Sequence, residues 1–513
     1  MSVSALLLAH TLRTLTGLEP GPGADEVVIE PTEVAYVEAT WTETVIRGRP
    51  WVPHQRLATI DDGTRLVVRG VVASRDDQGC HGKPWYAVLP FGFVCSEHVQ
   101  PSRRAPDPRP TLPLDEGQRV PHTYAYVKSD GIPMYAGYED VDAGVPTRPL
   151  TKGMSLVVAR SLEYDGREWI QTGDGALVPK DGIRYGGQGS EWAGVEISGR
   201  HSGPSFAWVS ASKGAPVRAA PRADADSPMR LAYRTRVPLL ERGDALDGRV
   251  FWRVGEDLWI DGDQLAEVHL VAAPPSDVNA QWRADNVGND QWIDVDLGEQ
   301  VLVAYRGDQA VFATLISSGK SHATPRGNYP IWAKVASMTM ANQAYEDKPY
   351  MVQGVPWVLL FQGHNALHGA YWHDRFGEKK SHGCVNLAPH DARWVFEWAG
   401  PTMPAGWTGY LPGDLGRAPV VHVRDSSLGD RAFSQERPIG PPDREAEKAR
   451  AEEAEARRAE LGDDRAPIYD PAFVPSGGVP GSVGEQAPGE GAVRLEPRNG
   501  PAFGTIDSQT RGG

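Results

Sequence analysis

The feature that most constrains the fold is a tryptophan-bearing strand that occurs three times at a nearly constant interval. The copies begin at Trp85, Trp169 and Trp252, which lie 84 and 83 residues apart, and a tight turn and a second short strand follow each one. A short aromatic strand precedes each copy, at residues 34–37, 124–127 and 206–209. A fixed interval of this length is typical of repeated modules. Because the strands are short and joined by glycine turns, with no long helical period, the modules are predicted to be small β-barrels.

A Gly-x-x-Leu strand is a second shared element, at Gly63–Leu66 and Gly153–Leu156, with a weaker counterpart near residues 235–238. Together with the tryptophan strand, it resembles the bacterial SH3-like domain in three degenerate copies. The resemblance implies SH3-like modules at residues 30–104, 120–188 and 204–267. Two roles for them stay open: spacers whose tryptophans fill their cores, or modules that bind the cell wall.

Length and composition limit the class of protein. A chain of 513 residues is too long for one hydrophobic core and is expected to hold three or four domains. A net charge of −15 argues against a nucleic-acid partner or an anionic membrane surface reached through bulk electrostatics. The sequence has no run of 18 apolar residues, so no transmembrane segment is predicted.

The remaining stretches complete the predicted organisation. Residues 1–29 have a short apolar patch with no basic stretch before it and no clear A-x-A site, so they are read as a degenerate export signal at most. Residues 268–289 contain a proline pair and are predicted to be a linker. Residues 425–513 differ in composition from the rest of the chain. They contain a charged, alanine-rich segment from Asp443 to Leu461, which is predicted to be a solvated helix because it has no apolar stripe, and then a tail that is predicted to be disordered.

Between the linker and that region, residues 290–424 are predicted to be a β-sandwich or meander, because apolar residues alternate between short glycine turns. The stretch 355–361 is nearly all apolar, which indicates a strand buried on both faces. After it, residues 391–398 have helical spacing, with Trp394, Val395 and Trp398 predicted on one face.

Two of the three cysteines, Cys80 and Cys95, flank the Trp85 strand and its turn. Their spacing allows a disulfide across this hairpin, which would suit an oxidising compartment. The alternatives are two reduced core thiols or, with Cys384, a metal site, and the absence of a C-x-x-C spacing argues against the metal.

The third cysteine, Cys384, is the candidate for chemistry. It ends the tetrapeptide Ser381-His382-Gly383-Cys384, and His368 lies 16 residues upstream of it. A cysteine is a good nucleophile as its thiolate, and a nearby histidine is the usual group that removes its proton. A buried thiol packed beside incidental histidines is the alternative. The flanking glycine, the polar stretch before the motif and the apolar stretch after it favour a catalytic cysteine.

This motif resembles the L,D-transpeptidase catalytic domain of the YkuD type. The family pattern is a histidine, a spacer of about a dozen residues or slightly more, then Ser/Thr-His-Gly-Cys, an apolar residue and Asn or Arg. Here His368 is followed by Gly369–Lys380, the tetrapeptide, Val385 and Asn386. The resemblance implies a mainly β chain: a YkuD-type β-sandwich with a short helix after the catalytic cysteine, preceded by about three small SH3-like β-barrel modules.

Roles follow from the resemblance and from elementary chemistry. Cys384 would be the nucleophile, His368 the general base and acid, and the carbonyl of Gly369 the group that orients the imidazole. The turn at Ser381, His382 and Gly383 would supply the oxyanion hole or hold the loop. Candidate substrate contacts are Asn386, Tyr371, Trp372 and His373.

A metal site and a non-catalytic scaffold are the alternatives to a catalytic cysteine. His364 and His368 are four residues apart, but the stretch lacks the glutamate of H-E-x-x-H, so no metal and no cofactor are expected. The alternative from a different class of protein is a non-catalytic scaffold that binds the cell wall through the SH3-like repeats and has an inactive last domain.

The activity implied by the resemblance is peptidoglycan cross-linking in the cell envelope. The cysteine would attack the L-centre carbonyl of diaminopimelate in a donor tetrapeptide, release D-Ala, and pass the acyl group to an acceptor diaminopimelate as a 3–3 cross-link. With water as acceptor the same site would be a carboxypeptidase, and with a protein amine it would attach proteins to the wall.

Overall fold

The computed structural model describes residues 27–51, 56–74, 79–197, 206–245, 247–271, 274–275, 290–342 and 350–460. Residues 1–26 of the candidate export signal, most of the predicted linker and the tail beyond residue 460 therefore lie outside the described residues. Within the described residues, no helix is both long enough and apolar enough to cross a membrane.

Short antiparallel strands make up the N-terminal half. The first group consists of β1 (Tyr36–Ala39), β2 (Thr44–Arg47), β3 (Arg56–Ile60), β4 (Arg65–Val72), β5 (Trp85–Val88), β6 (Phe93–Cys95) and β7 (Val99–Ser102). The second consists of β8 (Tyr124–Val127), β9 (Ile132–Met134), helix α1 (Tyr138–Ala143), β10 (Arg148–Leu150), β11 (Ser155–Tyr164), β12 (Arg167–Thr172), β13 (Leu177–Pro179), β14 (Ile183–Tyr185) and β15 (Val195–Glu196). The third consists of β16 (Phe206–Val209), β17 (Ala215–Val217), β18 (Met229–Leu231), β19 (Arg236–Pro238), β20 (Glu241–Asp244), β21 (Val250–Gly255), β22 (Leu258–Asp261) and β23 (Leu265–Val268).

The C-terminal half holds longer strands and two longer helices. They are β24 (Gln291–Asp296), β25 (Val301–Arg306), β26 (Gln309–Leu315), β27 (Gly327–Pro330), β28 (Ala333–Ala341), β29 (Met351–Gln362), β30 (Asn365–Gly369), β31 (Val385–Leu387), α2 (Pro389–Trp398), β32 (Trp407–Tyr410), β33 (Val420–Arg424) and α3 (Arg444–Glu460). The mainly β architecture expected from the sequence is confirmed.

Two sheets enclose the core of this half. One has the strand order β15-β26-β25-β24-β33-β27, and the other contains β28 to β32. Apolar side chains from both sheets and from α2 fill the space between them, among them Ile293, Phe312, Leu359, Leu367 and Val395. The predicted apolar strand is the middle of β29, where residues 353–361 are all buried, so its burial on both faces is confirmed.

Helix α2 follows the candidate catalytic strand, and a buried lysine fixes its C-terminal end. The Nζ of Lys334 donates to the carbonyls of Phe396 and Pro401, each at 2.9 Å, and to that of Ala399. A cation satisfies the orphan carbonyls and the partial negative charge at a helix C-terminus. The predicted face of α2 is confirmed, because Val395 lies in the core and the half-buried Trp394 and Trp398 pack against it, and Phe396 joins the same core.

The strand predictions for the three modules agree with the structure in position. Strands β8 and β16 coincide with the predicted aromatic segments, β1 begins two residues after the start of the first one, and β5 begins at the predicted Trp85. The side chains of Trp85 and Trp169 are buried. Cys80 and Cys95 form a disulfide, as predicted. The assignment of the modules as SH3-like, and their boundaries, stay predictions.

The modules share sheets and cores with the C-terminal half. Strand β3 pairs with β32, with Ala58 opposite Tyr410, and β11 meets β29 at Ser155 and Val352. Trp208 of the third group packs in one cluster with Trp292 of β24. The repeats therefore form part of the surroundings of the C-terminal domain.

Candidate active site

The candidate base and nucleophile lie at adjacent strand ends. Strands β30 and β31 run parallel, with Leu367 opposite Val385 and His368 opposite Asn386. Cys384 immediately precedes β31 and is level with Ala366, and it lines the same cleft as His368 although 15 residues separate the two in the chain. Their roles as nucleophile and base stay predictions.

His368 is buried, with 2% of its surface exposed. Its Nδ1 lies 3.3 Å from the carbonyl oxygen of Gly369, which cannot donate, so Nδ1 carries the ring proton and Nε2 is free to accept one. Burial lowers the pKa of His368 to about 4, and the indole of Trp372 stacks near its ring at 5.8 Å. At neutral pH the imidazole is therefore a neutral base.

Cys384 is half-buried and is the free thiol of the chain. Its Sγ lies 3.7 Å from the carbonyl oxygen of His364. Desolvation raises the pKa of Cys384 to about 11. The resting pair is therefore a neutral thiol beside a neutral imidazole, which can react by general-base removal of the thiol proton.

Ser381 and Thr324 fix the turn before Cys384. The Ser381 hydroxyl donates to the carbonyl of Cys384 and accepts the Gly383 N–H at 3.1 Å. Thr324 Oγ1 donates to the Gly383 carbonyl at 2.7 Å. Gly383 has φ +156°, and a Cβ at this position would lie 2.3 Å from the Asn365 side-chain oxygen. Only glycine fits this conformation without a shift.

These contacts change the predicted oxyanion hole. Because its N–H is taken by Ser381, Gly383 is not the donor that the sequence suggested; its role is conformational. Ser381 stabilises the turn through its hydrogen bonds to Gly383 and Cys384. Among the described residues, the backbone hydrogen bonds leave the amides of His382 and Cys384 without an acceptor. Those two amides are therefore the available donors for a developing oxyanion.

Asn386 and His373 link the catalytic strand to the spacer loop. The Asn386 side-chain nitrogen Nδ2 lies 2.9 Å from His373 Nε2, and His373 Nδ1 accepts the Arg375 N–H at 3.2 Å. Burial lowers the pKa of His373 to about 4, so the ring is neutral and Nε2 carries its one proton. Two donors cannot bond each other, so the Asn386 amide is assigned with its oxygen turned toward Nε2, which also gives a partner to an oxygen that otherwise has none among the described residues. Asn386 therefore anchors the loop.

The four predicted substrate contacts separate into two groups. Trp372 and Asn386 line the cleft at Cys384, as do His382 and Tyr350, whose rings stack at 5.1 Å. His373 does not line the cleft and is held by Asn386 and Arg375, so its role as a substrate contact stays a prediction. Tyr371 does not line the cleft either, and its prediction as a substrate contact is wrong. It is 3% exposed, stacks on Tyr124 of β8 and donates its hydroxyl to the Gln353 carbonyl at 2.6 Å. Tyr371 is part of the interface with the second module, and no local sequence motif indicates that interface.

The third module holds the same loop from another side. Arg234 pairs with the Asp374 carboxylate at 2.8 Å, and its neighbour Tyr233 donates to the Phe376 carbonyl at 2.6 Å. The Ser190 hydroxyl also donates to Asp374. The loop that carries Trp372 is thus fixed by side chains far away in the sequence.

The cleft in front of Cys384 has a volume of about 680 Å³. One wall is formed by the segment after β33 and by the start of α3, at residues 437–450. His364 Nε2 lies 2.8 Å from a Glu447 carboxylate oxygen, which fastens α3 to this rim. The helix was predicted at residues 443–461 and is observed at Arg444–Glu460, but the expectation that it is solvated is wrong for its first two turns, where Ala446 and Glu447 are half-buried at the cleft. The contact between Glu447 and His364 was not predicted because the face of α3 toward the cleft is charged and has no apolar stripe.

A two-sheet β domain with a neutral histidine and a free cysteine at adjacent parallel strand ends defines a site suited to thiol-dependent acyl transfer. Residues 290–421 match the L,D-transpeptidase catalytic domain, YkuD. This part of the chain is a YkuD-type L,D-transpeptidase catalytic domain, as the sequence motif predicted.

The chain is also similar to individual proteins that are named L,D-transpeptidases. The Bacillus subtilis protein YciB, named as an L,D-transpeptidase, is 28% identical over 120 residues, covering 21% of this chain and 59% of that protein. The chain therefore spans less than two thirds of that relative. An Enterococcus faecium L,D-transpeptidase is 23% identical with a TM-score of 0.21, covering 26% of this chain and 50% of the other. One from Mycobacterium smegmatis is 14% identical with a TM-score of 0.22, covering 52% and 99%.

Proposed function

We propose that this chain is a peptidoglycan L,D-transpeptidase that forms 3–3 cross-links through a thioester on Cys384. The observation that carries the proposal is the neutral His368, held by the Gly369 carbonyl at 3.3 Å, beside the free thiol of Cys384 in a YkuD-type domain. The substrate would be the stem peptide of peptidoglycan. Work on that substrate requires an extracytoplasmic location, which the Cys80–Cys95 disulfide favours.

In the acylation half-reaction, Cys384 Sγ attacks the L-centre carbonyl of diaminopimelate in the donor tetrapeptide while His368 Nε2 takes the thiol proton. The amides of His382 and Cys384 stabilise the oxyanion. The bond to D-Ala breaks, His368 returns the proton to the leaving amine, and a thioester remains.

In the second half-reaction, the side-chain amine of an acceptor diaminopimelate attacks the thioester. His368 removes a proton from the attacking amine and protonates the departing thiol of Cys384. One peptide bond replaces another, so no external energy source is needed. Water in place of the amine would give the carboxypeptidase reaction, and a protein amine would give wall attachment.

The test is incubation of the full chain with disaccharide-tetrapeptide, followed by mass spectrometry of the products. Dimers that have lost one D-Ala support transpeptidation, and tripeptide alone would assign hydrolysis instead. Cys384→Ala and His368→Ala are the matched variants: the first is expected to abolish product, and the second to lower the rate by about 10²- to 10⁴-fold. Unchanged product formation by Cys384→Ala would refute the mechanism.

A further inference from the structure

The segment after β33 lies outside the family match but is attached to the rim of the cleft. Glu436 accepts the Arg326 N–H at 2.8 Å and its Nε–H at 2.9 Å. The Gly363 N–H donates to the Gly440 carbonyl at 3.0 Å, and the Gln362 side chain donates to the Pro438 carbonyl at 3.3 Å. These bonds fix the chain at the end of β29, close to the strand that carries His368.

Two turns of α3 then face the cleft. The lining residues Asp443, Ala446, Glu447 and Arg450 are spaced three, four and seven apart, which places them on one helical face. His364 lies between this helical face and Cys384 and contacts both. Its backbone oxygen lies 3.7 Å from the Sγ of Cys384, and its ring lies 2.8 Å from Glu447.

The acidic side chains of this wall have partners in the structure, whereas its two arginines have no ion-pair partner among the described residues. Asp443 accepts the Ala446 N–H at 3.1 Å as a helix cap, and Glu447 is engaged by His364. Arg437 and Arg450 also line the cleft, and the ion pairs among the described residues give neither of them an acidic partner. The wall therefore presents two guanidinium groups that have no acidic partner within the part of the chain that the structure describes.

We propose that Arg437 and Arg450 are specificity-determining residues that bind a free carboxylate of the stem peptide. A guanidinium recognises a carboxylate through two parallel charge-assisted hydrogen bonds. Stem peptides carry such groups at the C-terminus and on diaminopimelate. The inference rests on the proposed function, because it concerns which stem peptides that reaction accepts.

The test compares Arg437→Ala and Arg450→Ala with Lys448→Ala as the charge-matched control. Lys448 is on the same helix, pairs with Glu452 at 3.9 Å and does not line the cleft. Each protein is assayed with the free-acid tetrapeptide, with the peptide amidated on diaminopimelate, and with the C-terminal carboxamide. The arginine variants are expected to raise KM for the free acid about tenfold with little change in kcat, while Lys448→Ala matches the parent protein.

Substrate amidation identifies the carboxylate. The amide that removes the recognised group should weaken binding by the parent protein and abolish the difference between the parent and the arginine variants. If both arginine variants keep the parent KM for all three peptides, the inference is wrong although the transpeptidase activity stands. If the parent protein forms no product from any stem peptide while Cys384 still reacts with iodoacetamide, the proposed function fails instead. A loss of iodoacetamide reaction confined to the arginine variants would also overturn the inference, because it would reveal damage to the site.

Discussion

The protonation state of the resting site gives the sharpest prediction. Desolvation raises the pKa of Cys384 to about 11, and burial lowers that of His368 to about 4. At pH 7 only about one thiol in ten thousand is then ionised, which corresponds to a cost of about 5 kcal/mol for forming the thiolate. Since both shifts disfavour charge, a preformed thiolate–imidazolium pair is not expected.

Iodoacetamide alkylation measures this directly, because Cys384 is the free thiol and the other two cysteines are joined as a disulfide. An ordinary thiol with a pKa of about 8.5 has about 300 times more thiolate at pH 7. The higher intrinsic nucleophilicity of the more basic thiolate recovers about tenfold to twentyfold. Alkylation of Cys384 at pH 7 should therefore be about 20-fold slower than that of a free cysteine derivative. Its rate should rise with pH up to about 10 without a plateau.

The matched variant is His368→Gln. It should leave the alkylation profile nearly unchanged, since no ion pair is lost, yet lower transpeptidation by about 10²- to 10⁴-fold, since the base is gone. The acid limb of kcat/KM should lie near pH 4, where His368 becomes protonated. An alkylation plateau between pH 5 and 8 that disappears in His368→Gln would refute the reasoning, because it would report a thiolate stabilised by the imidazolium.

Three further outcomes are expected. Gly383→Ala should lower transpeptidation by at least about 100-fold, measured as product formation, because the new Cβ would meet the Asn365 side-chain oxygen at 2.3 Å. Arg234→Ala should lower kcat more than it raises KM, because it frees the Trp372 loop, whereas Arg222→Ala, which breaks an exposed ion pair with a neighbouring aspartate, should leave both unchanged. Burial raises the pKa of Glu299 from 4.5 to about 7, so the native state binds this proton more tightly than the unfolded state does. Its contribution to stability is therefore full below pH 4.5 and lost as pH rises to 7, and the urea midpoint of Glu299→Gln should lack this component.

The candidate pair was predictable because its motif is local. His368 and Cys384 are separated by a short loop, and the parallel pairing of β30 with β31 puts both at one cleft. Tyr371 and Glu447 were not predictable in this way. Tyr371 is accounted for by Tyr124, about 250 residues upstream, and Glu447 by His364, about 80 residues upstream. Neither long-range partner leaves a periodic signal in the sequence.

The edges of the C-terminal domain explain why the N-terminal repeats matter to the site. Strand β32 would be an open edge without β3, and β26 would be one without β15, which pairs Val195 with Ala313. Unpaired edges expose backbone donors and acceptors that must otherwise be satisfied by water or another chain. The same repeats fix the loop of Trp372 through Arg234 and Tyr124. A pure spacer would need none of these contacts, so the repeats are structural components of the catalytic half, whatever else they bind.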